Sequence, residues 1–348
     1  MRGPAGRRTV NDTGIVLART PLRLTLGGGG TDLPLYSSRF GGDVLTVAIS
    51  LWVTVVASRG SLDGTFRYSH EETHTAGTAG ALTQPYVREA LRLTDMSTPC
   101  QIASLGPVPA GTGLGSSGAF SVSLVAALNR LNGRTLSRGE LIEQACELEI
   151  GRLGMPIGKQ DHYACALGGL RRLVIDTSGR VSEFDVRMAE GVVERLEQSL
   201  LLFYTGRRRD SAAQLARPDN ASALSHRIEQ LHHIRKLGDQ IRTALERGDL
   251  DEVAALISEH WKIKRGPESS RWDEYLDLAH QHGAAAGKIV GAGGGGFLLL
   301  FAEPPAHDAV IAALGRPGLS HVPFRFVEEG LTVTDLGGHG LTDRLEQQ

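Results

Sequence analysis

Apolar and polar residues alternate from Ile15 to Leu26, a period of two that predicts a strand, and this strand runs straight into Gly27-Gly28-Gly29-Gly30. Asp43 to Arg59, rich in Val, Thr and Ile, predicts a second extended segment. Between Gly60 and Pro85 the chain turns polar. His70, Glu71, Glu72 and His74 cluster there among Thr and Gly, in a spacing that does not match a helical metal motif, so a solvated loop is expected. Ser116 to Leu131 is apolar on nearly every face (Phe120, Val122, Leu124, Val125, Leu128, Leu131) and predicts a buried helix. Ser137, with Glu140 three residues on, has the pattern of a capping box opening a helix to about Leu153. Short strands are predicted at Leu170 to Ile175 and Ser199 to Tyr204. Helices are predicted at Asn220 to Arg247, Leu250 to Lys262 and Ser270 to His282, parted by Gly248-Asp249 and Arg265-Gly266-Pro267. A last glycine run, Gly291 to Gly296, feeds a strand from Phe297 to Phe301.

No internal repeat interrupts this order. A strand-rich first half and a helix-rich second half predict an α+β fold of two lobes, 15–190 and 191–348, after a disordered N-terminal extension over 1–14. With 348 residues and 41% hydrophobic content, the chain can bury a sizeable core. A net charge of -2, with no basic stripe, gives no footprint for nucleic acid. The apolar runs are too short to span a bilayer, and Met1 to Thr13 lacks the apolar stretch of a signal peptide. Cys100, Cys146 and Cys165 are odd in number and show no Cys-x-x-Cys spacing, so no disulfide framework or zinc site is expected and a cytoplasmic location is the natural reading.

The chemistry gathers first at Pro109-Ala-Gly111-Thr112-Gly113-Leu114-Gly115-Ser116-Ser117-Gly118. Its glycines remove side chains, so backbone N–H groups can close around an anion. The helix that starts at Ser116 adds the positive end of its dipole to the same point. A polyphosphate fits. Gly113-x-Gly115-x-x-Gly118 also satisfies the dinucleotide fingerprint formally, but the next element is one long buried helix with no acidic residue ending a second strand. No lysine comes after the glycines, so the Walker pattern fails.

The segment Pro109-x-x-x-Gly113-Leu-Gly-Ser-Ser117 resembles the second motif of the GHMP kinases. Thr20-Pro-Leu-Arg23 through Gly28-Gly29-Gly30-Thr31-Asp32-Leu-Pro34 resembles the first, and Lys288-Ile-Val-Gly-Ala-Gly293-Gly294-Gly295-Gly296-Phe297 the third. The strings Pro156-Ile-Gly-Lys159-Gln-Asp161, Phe203-Tyr-Thr-Gly206 and Trp261-Lys262-x-Lys264 place the chain nearest the sugar 1-kinases that act on heptose 7-phosphates. The resemblance covers about residues 15 to 302. It implies a two-lobed fold, with an N-terminal lobe like ribosomal protein S5 domain 2 and a ferredoxin-like C-terminal lobe with added helices. It also implies ATP and Mg²⁺ as cofactors, a small-molecule sugar phosphate as substrate, and a monomer or homodimer.

Residue by residue, the resemblance makes Asp161 the catalytic carboxylate, with Arg23 near the transferred phosphate. Lys159 is close enough in sequence to Asp161 to act on its charge as a catalytic partner, or else points to solvent, and Asp161 can also cap the short helix that it opens. Mg²⁺ falls to Ser117 and Glu149; Glu147, two residues away and on another helix face, is the alternative. The resemblance gives the sugar to Gly28, Gly29, Gly30, Thr31 and Asp32, and the region around it to Gly293, Gly294 and Gly295. A sugar phosphate needs a cationic clamp, for which Arg209, Lys262, Lys264 and Arg265 are candidates. Gly118 stands where a third serine is expected in this branch and should loosen the helix start, opening space near the phosphates. The expected reaction is phosphorylation of the anomeric hydroxyl of a heptose 7-phosphate. A fucose- or galactose-type 1-kinase and a non-catalytic sugar-binding protein are the alternatives.

Overall fold

β1 (Ile15–Gly27) shows how the pattern becomes architecture. From Ile15 to Arg19 every second side chain is buried, whereas beyond Thr20 almost all are. The change marks where the strand acquires a cover on both faces: Leu22, Leu24 and Leu26 share a core with Leu237 and Ile241 from a helix of the other lobe. The computed structural model describes residues 14–60, 63–108, 111–207, 220–265, 270–291 and 295–336. Pro109, Arg209, Gly293 and Gly294, and the extension before residue 14, lie outside them.

After β1 come α1 (Pro34–Phe40), β2 (Gly42–Arg59), β3 (Phe66–Ser69), β4 (Thr73–Ala76), α2 (Pro85–Leu93) and β5 (Cys100–Leu105). Then come α3 (Ser116–Leu131), α4 (Arg138–Cys146), a π-helical turn (Glu147–Arg152), α5 (Gln160–Leu167), β6 (Leu170–Ile175) and β7 (Val181–Asp185). The second lobe supplies α6 (Val192–Gln198), β8 (Leu200–Tyr204), α7 (Ala221–Arg247), α8 (Leu250–Lys264), α9 (Ser270–Gln281), β9 (Ala284–Ile289), β10 (Phe297–Ala302) and α10 (His307–Gly315). β11 (Ser320–His321) and β12 (Thr332–Asp335) close the chain.

The larger sheet runs β12-β1-β2-β5-β3-β4, with β6 on β2 and β7 on β6. β2 is long enough to pair β6 through Gly42–Val47 and β5 through Thr54–Arg59. All its pairs are antiparallel except β3 with β5. The smaller sheet is antiparallel, in the order β11-β8-β10-β9. The fold is therefore a two-lobed α+β arrangement. After β11 the chain returns to the larger sheet, where Phe326 bridges Ile49 and β12 pairs β1, so the last residues of the second half do not stay in the second lobe.

Several sequence expectations are met in detail. Ser137 and Glu140 form a reciprocal capping box, and α3 is buried along most of its length. Two need correction. The segment around His70 and His74 is a hairpin rather than a loop, because Phe66 and Tyr68 alternate into the core and carry β3 into the sheet. His70 Nδ1 lies 3.1 Å from the Ser104 carbonyl, and His74 Nδ1 lies 2.8 Å from the Thr83 hydroxyl. Nor is Asp161 a cap: α5 begins one residue earlier, with Lys159 at the N-cap position, and the Asp161 side chain is engaged elsewhere.

Candidate active site

Between the lobes lies a cleft lined by three glycine-bearing segments and by helices from each side. Its walls include Gly29, Gly30 and Asp32 after β1, Gly111, Gly113 and Gly115 before α3 with Ser116 and Ser117 at its start, and Lys288 to Gly291 at the end of β9. Close backbone approaches explain the glycines. A Cβ on Gly113, whose φ is 90°, would meet the Val290 carbonyl at 2.7 Å, and one on Gly296 would meet the Thr112 carbonyl at 2.1 Å. The second and third glycine segments therefore lock together backbone to backbone. Gly115 holds a left-handed conformation at the N-cap of α3 and leaves the first N–H groups of that helix facing the cleft. Leu114 and Thr112 point inward and are fully buried, while Ser116 and Ser117 line the cleft.

Asp161 stands at the centre. Arg23 donates from Nε (2.9 Å) and Nη2 (2.5 Å) to its Oδ1, and from Nη1 to the Gly113 carbonyl (2.6 Å). Burial opposes the charge on Arg23, yet Asp161 more than compensates and its pKa is raised. Among the described residues nothing donates to Oδ2 of Asp161, so that oxygen remains available to a ligand. Asp32, 4% exposed, accepts from the Gln160 backbone N–H (3.1 Å) and from Gln160 Nε2 (3.0 Å). Its pKa is pushed up to about 6, first by burial and then by the charge of Asp161. Gly158 is required beside it, since a Cβ there would lie 2.0 Å from Asp32 Oδ2.

Other expected residues stand apart. Thr31 is buried and its hydroxyl serves the turn, donating to the Gly28 carbonyl (2.7 Å) and accepting from the Asp43 N–H (3.0 Å). Gly28 itself packs on the Asp43 carbonyl, so neither residue faces the cleft. Lys159 turns to Glu143 on α4 (2.7 Å) and takes no place in the lining, which corrects its expected influence on Asp161. Lys264 lines the cleft and bonds the Gly291 carbonyl; Lys262, on another face of α8, is exposed and does not. Arg265 faces Asp273 at 3.5 Å. Gly295 packs near Trp272 rather than in the lining. Gly118 does not open space: a Cβ on it would be 2.8 Å from the Cβ of Asp161, so the gap is already filled by α5.

The family model for the GHMP kinases N terminal domain matches residues 82–169, and that for the GHMP kinases C terminal domain matches residues 241–318. The chain is a GHMP kinase. A D-glycero-alpha-D-manno-heptose 7-phosphate kinase of Campylobacter jejuni is 27% identical over 332 residues, covering 91% of this chain and 98% of that protein. An L-fucokinase/L-fucose-1-P guanylyltransferase of Bacteroides fragilis is 25% identical across 93% of this chain, which spans 38% of that longer protein. A solved structure described as a D-glycero-D-manno-heptose 1-phosphate kinase from Bacteroides thetaiotaomicron superposes with a TM-score of 0.76 at 26% identity, over 93% of this chain and 100% of that one. This GHMP kinase is an ATP-dependent sugar kinase. No helix of its described residues is long and apolar enough to cross a membrane.

Which residues of this GHMP kinase suit the divalent cation that travels with ATP? Glu149 is fully buried in the π turn, whereas Glu147 is exposed and lies 3.9 Å from Arg152. His162 Nε2 approaches a carboxylate oxygen of Glu149 to 2.7 Å, and the Tyr86 hydroxyl stands close enough for burial and then Glu149 to raise its pKa, although no contact is aligned as a hydrogen bond among the described residues. Burial alone would lower the pKa of His162, but Cys146 and Glu149 raise it well above the usual range. Ser117 faces the cleft, while Glu149 sits behind its lining. A serine hydroxyl and a buried carboxylate are hard oxygen ligands. They suit Mg²⁺, which takes few protein ligands and completes its shell with water and phosphate oxygens.

The sequence reading passed over four further residues of the cleft. Gln160 positions Asp32 and accepts from the Thr25 hydroxyl at 3.1 Å. Lys288 is 2% exposed, donates to the Leu26 carbonyl (2.7 Å), and has its pKa lowered to about 7, by burial first and then by Arg23. His260 and Arg227 also line the cleft. Lys288 and Gln160 stand inside the motif strings, so adjacency to the glycines and to Asp161 was the available signal. His260 and Arg227 carried none.

Proposed function

We propose that this kinase phosphorylates the anomeric hydroxyl of a heptose 7-phosphate, D-glycero-D-manno-heptose 7-phosphate or an epimer such as the altro form, giving the 1,7-bisphosphate. The observation that carries the reading is the juxtaposition of Asp161, held by Arg23, with a glycine-walled pocket containing Asp32 and opening toward several cations. The name and full-length coverage of the Campylobacter jejuni relative support the same substrate class.

In this reading Gly111 to Ser117 and the start of α3 hold the phosphates of ATP, and Asp32 with the Gly29-Gly30 backbone orients the sugar. Asp161, held by Arg23 through Oδ1, accepts a hydrogen bond from the anomeric hydroxyl through Oδ2. The hydroxyl oxygen bonds to the γ-phosphorus as the bond to the β,γ-bridging oxygen breaks; its proton passes to Asp161, and ADP leaves with the electron pair. Arg23 sits where negative charge gathers and steadies both Asp161 and the loop carbonyl of Gly113. Ser117 and Glu149 would hold Mg²⁺, which when bound offsets the charge on the β- and γ-phosphates.

A coupled assay of ADP release over hexoses, heptoses and heptose 7-phosphates tests the proposal. Turnover of heptose 7-phosphates well above the unphosphorylated sugars is expected. Turnover of fucose or galactose, with none on any phosphorylated heptose, would overturn it in favour of a hexose 1-kinase.

A further inference from the structure

Four cationic side chains with fixed positive charge or an amine line the cleft: Arg23, Arg227, Lys264 and Lys288. Three are committed within the protein. Arg23 serves Asp161 and the Gly113 carbonyl, Lys288 the Leu26 carbonyl, and Lys264 the Gly291 carbonyl. Arg227 is different. It is half-buried on α7, and among the described residues it makes no hydrogen bond or ion pair; burial alone acts on it, lowering its pKa. A guanidinium partly withdrawn from water and given no acceptor is less favourable than one that a ligand supplies with an acceptor.

Its place in the cleft is set by helix spacing. Residues 227, 231, 234, 238 and 241 form one stripe of α7. Leu231 reaches to 3.3 Å of the Cβ position of Gly30, and Gly238 packs on the backbone of Gly27 and Gly28. The stripe thus lies along the first glycine segment, and Arg227, one turn before Leu231, comes out beside Gly30 and Leu33 at the sugar side of the cleft. A second observation points to a ligand in the same cleft. His260 on α8, 2% exposed and one turn from Lys264, lines it beside Lys288, and neither of its ring nitrogens has a hydrogen-bond partner among the described residues. Two unsatisfied polar groups, on two helices, border one space.

We infer that this space seats the phosphomonoester carried by the sugar substrate, with Arg227 as the residue that sets preference for phosphorylated over unphosphorylated sugars and His260 as its partner. The inference rests on the proposed heptose 7-phosphate reading and assigns within it a residue outside every glycine motif. The forked N–H donors of an arginine match a phosphate's oxygens, and a neutral imidazole can add one donor more.

The test compares kcat/KM for a heptose 7-phosphate and for the same heptose without phosphate, in the wild type, Arg227→Ala and Arg227→Lys, with KM for ATP measured throughout. For Arg227→Ala, kcat/KM on the phosphorylated sugar should fall about 30-fold or more, mainly through KM. The unphosphorylated sugar and ATP should change by no more than about threefold, within the range of an indirect effect. Arg227→Lys, which keeps the charge but not the fork, should lie between, and an unchanged KM for ATP shows that each variant is folded. An unaltered ratio of phosphorylated to unphosphorylated sugar in both variants overturns the inference while leaving the substrate reading intact. A rise confined to KM for ATP overturns it too, because it would assign Arg227 to the nucleotide. A wild type with no preference for the phosphorylated sugar removes the substrate reading, and this inference with it.

Discussion

Gly118 and Asp161 are packed so closely that a methyl group on the glycine would lie 2.8 Å from the Cβ of the aspartate. Real Cβ contacts do not come that near, so α3 or α5 has to move to admit one. In the proposed mechanism Gly118→Ala should therefore shift Asp161 off the sugar hydroxyl and lower kcat by about 10- to 100-fold, the cost of misplacing a catalytic group by a fraction of an ångström to one ångström. Steady-state kinetics decide it; an alanine variant with wild-type kcat means that the contact is not what positions Asp161.

Asp161→Asn keeps the size of the side chain and its neighbours but removes the charge and the ability to take a proton. The expected loss in kcat is about 10²- to 10⁴-fold, with ATP affinity little changed. Rapid-quench measurement of the first turnover separates this from slow product release. Near-normal chemistry in the variant would show that Asp161 only holds Arg23 in place.

Asp32 gives the enzyme a pH dependence on the acid side. Its folded pKa, about 6, is above the ordinary 3.8, because burial and the charge of Asp161 disfavour the anion. Between these values the folded protein binds more protons than the unfolded chain, so the stability this residue contributes is full below 3.8 and is lost as pH rises through 6. Under the proposed role of Asp32, sugar binding runs the other way, since the carboxylate is the better acceptor for hydroxyls. The profile of kcat/KM for the sugar should drop about tenfold per pH unit below pH 6, and Asp32→Asn should lose that inflection along with much of its affinity. An identical inflection in the variant would assign it to another group.

Lys288 acts in the opposite direction on stability. Its folded pKa of about 7 lies below the usual 10.5, because burial and Arg23 disfavour the ammonium. Below pH 7 both folded and unfolded states carry the proton. Between 7 and 10.5 the unfolded chain binds more, so this residue adds stability as pH rises through that window, at no more than about 1.4 kcal/mol per unit. Lys288→Met removes the amine. Urea midpoints measured at pH 7 and pH 9 should therefore differ less in the variant than in the wild type. Equal differences would mean that the amine keeps its charge through its bond to the Leu26 carbonyl.

The parts of the site that were legible in the sequence are those where the chemistry leaves a mark on composition. Glycine is needed wherever backbone meets backbone, so Gly113, Gly115 and Gly158 could be noticed before any contact was known, and Asp161 lay in a short string beside them. Thr31 was misread because a threonine next to an aspartate offers the same hydroxyl whether it faces a sugar or closes a turn, and only the Asp43 backbone decides between them. Lys159 was misread for a similar reason: its nearness in sequence to Asp161 says nothing about which side of α5 it leaves from, and Glu143 draws it away. The β3–β4 hairpin was hidden by polar residues on its exposed side, with Phe66 and Tyr68 the only apolar alternation. Arg227 had no local signal at all, because its position depends on where a helix of one lobe crosses a strand of the other.

That crossing has a further consequence. Gly238 rests on Gly27 and Gly28 with no side chain between them, which fixes how closely α7 approaches the first glycine segment, and Leu231 and Ile234 pack on Tyr36 between that point and Arg227, three turns away. Sliding such a helix by one residue advances its end by about 1.5 Å, close to the length that one carbon adds to a sugar's tail. If Arg227 grips the distal phosphate, the approach of Gly238 to Gly27 and Gly28 works as a gauge, and the chain length of the accepted sugar is set at three glycines that never touch it.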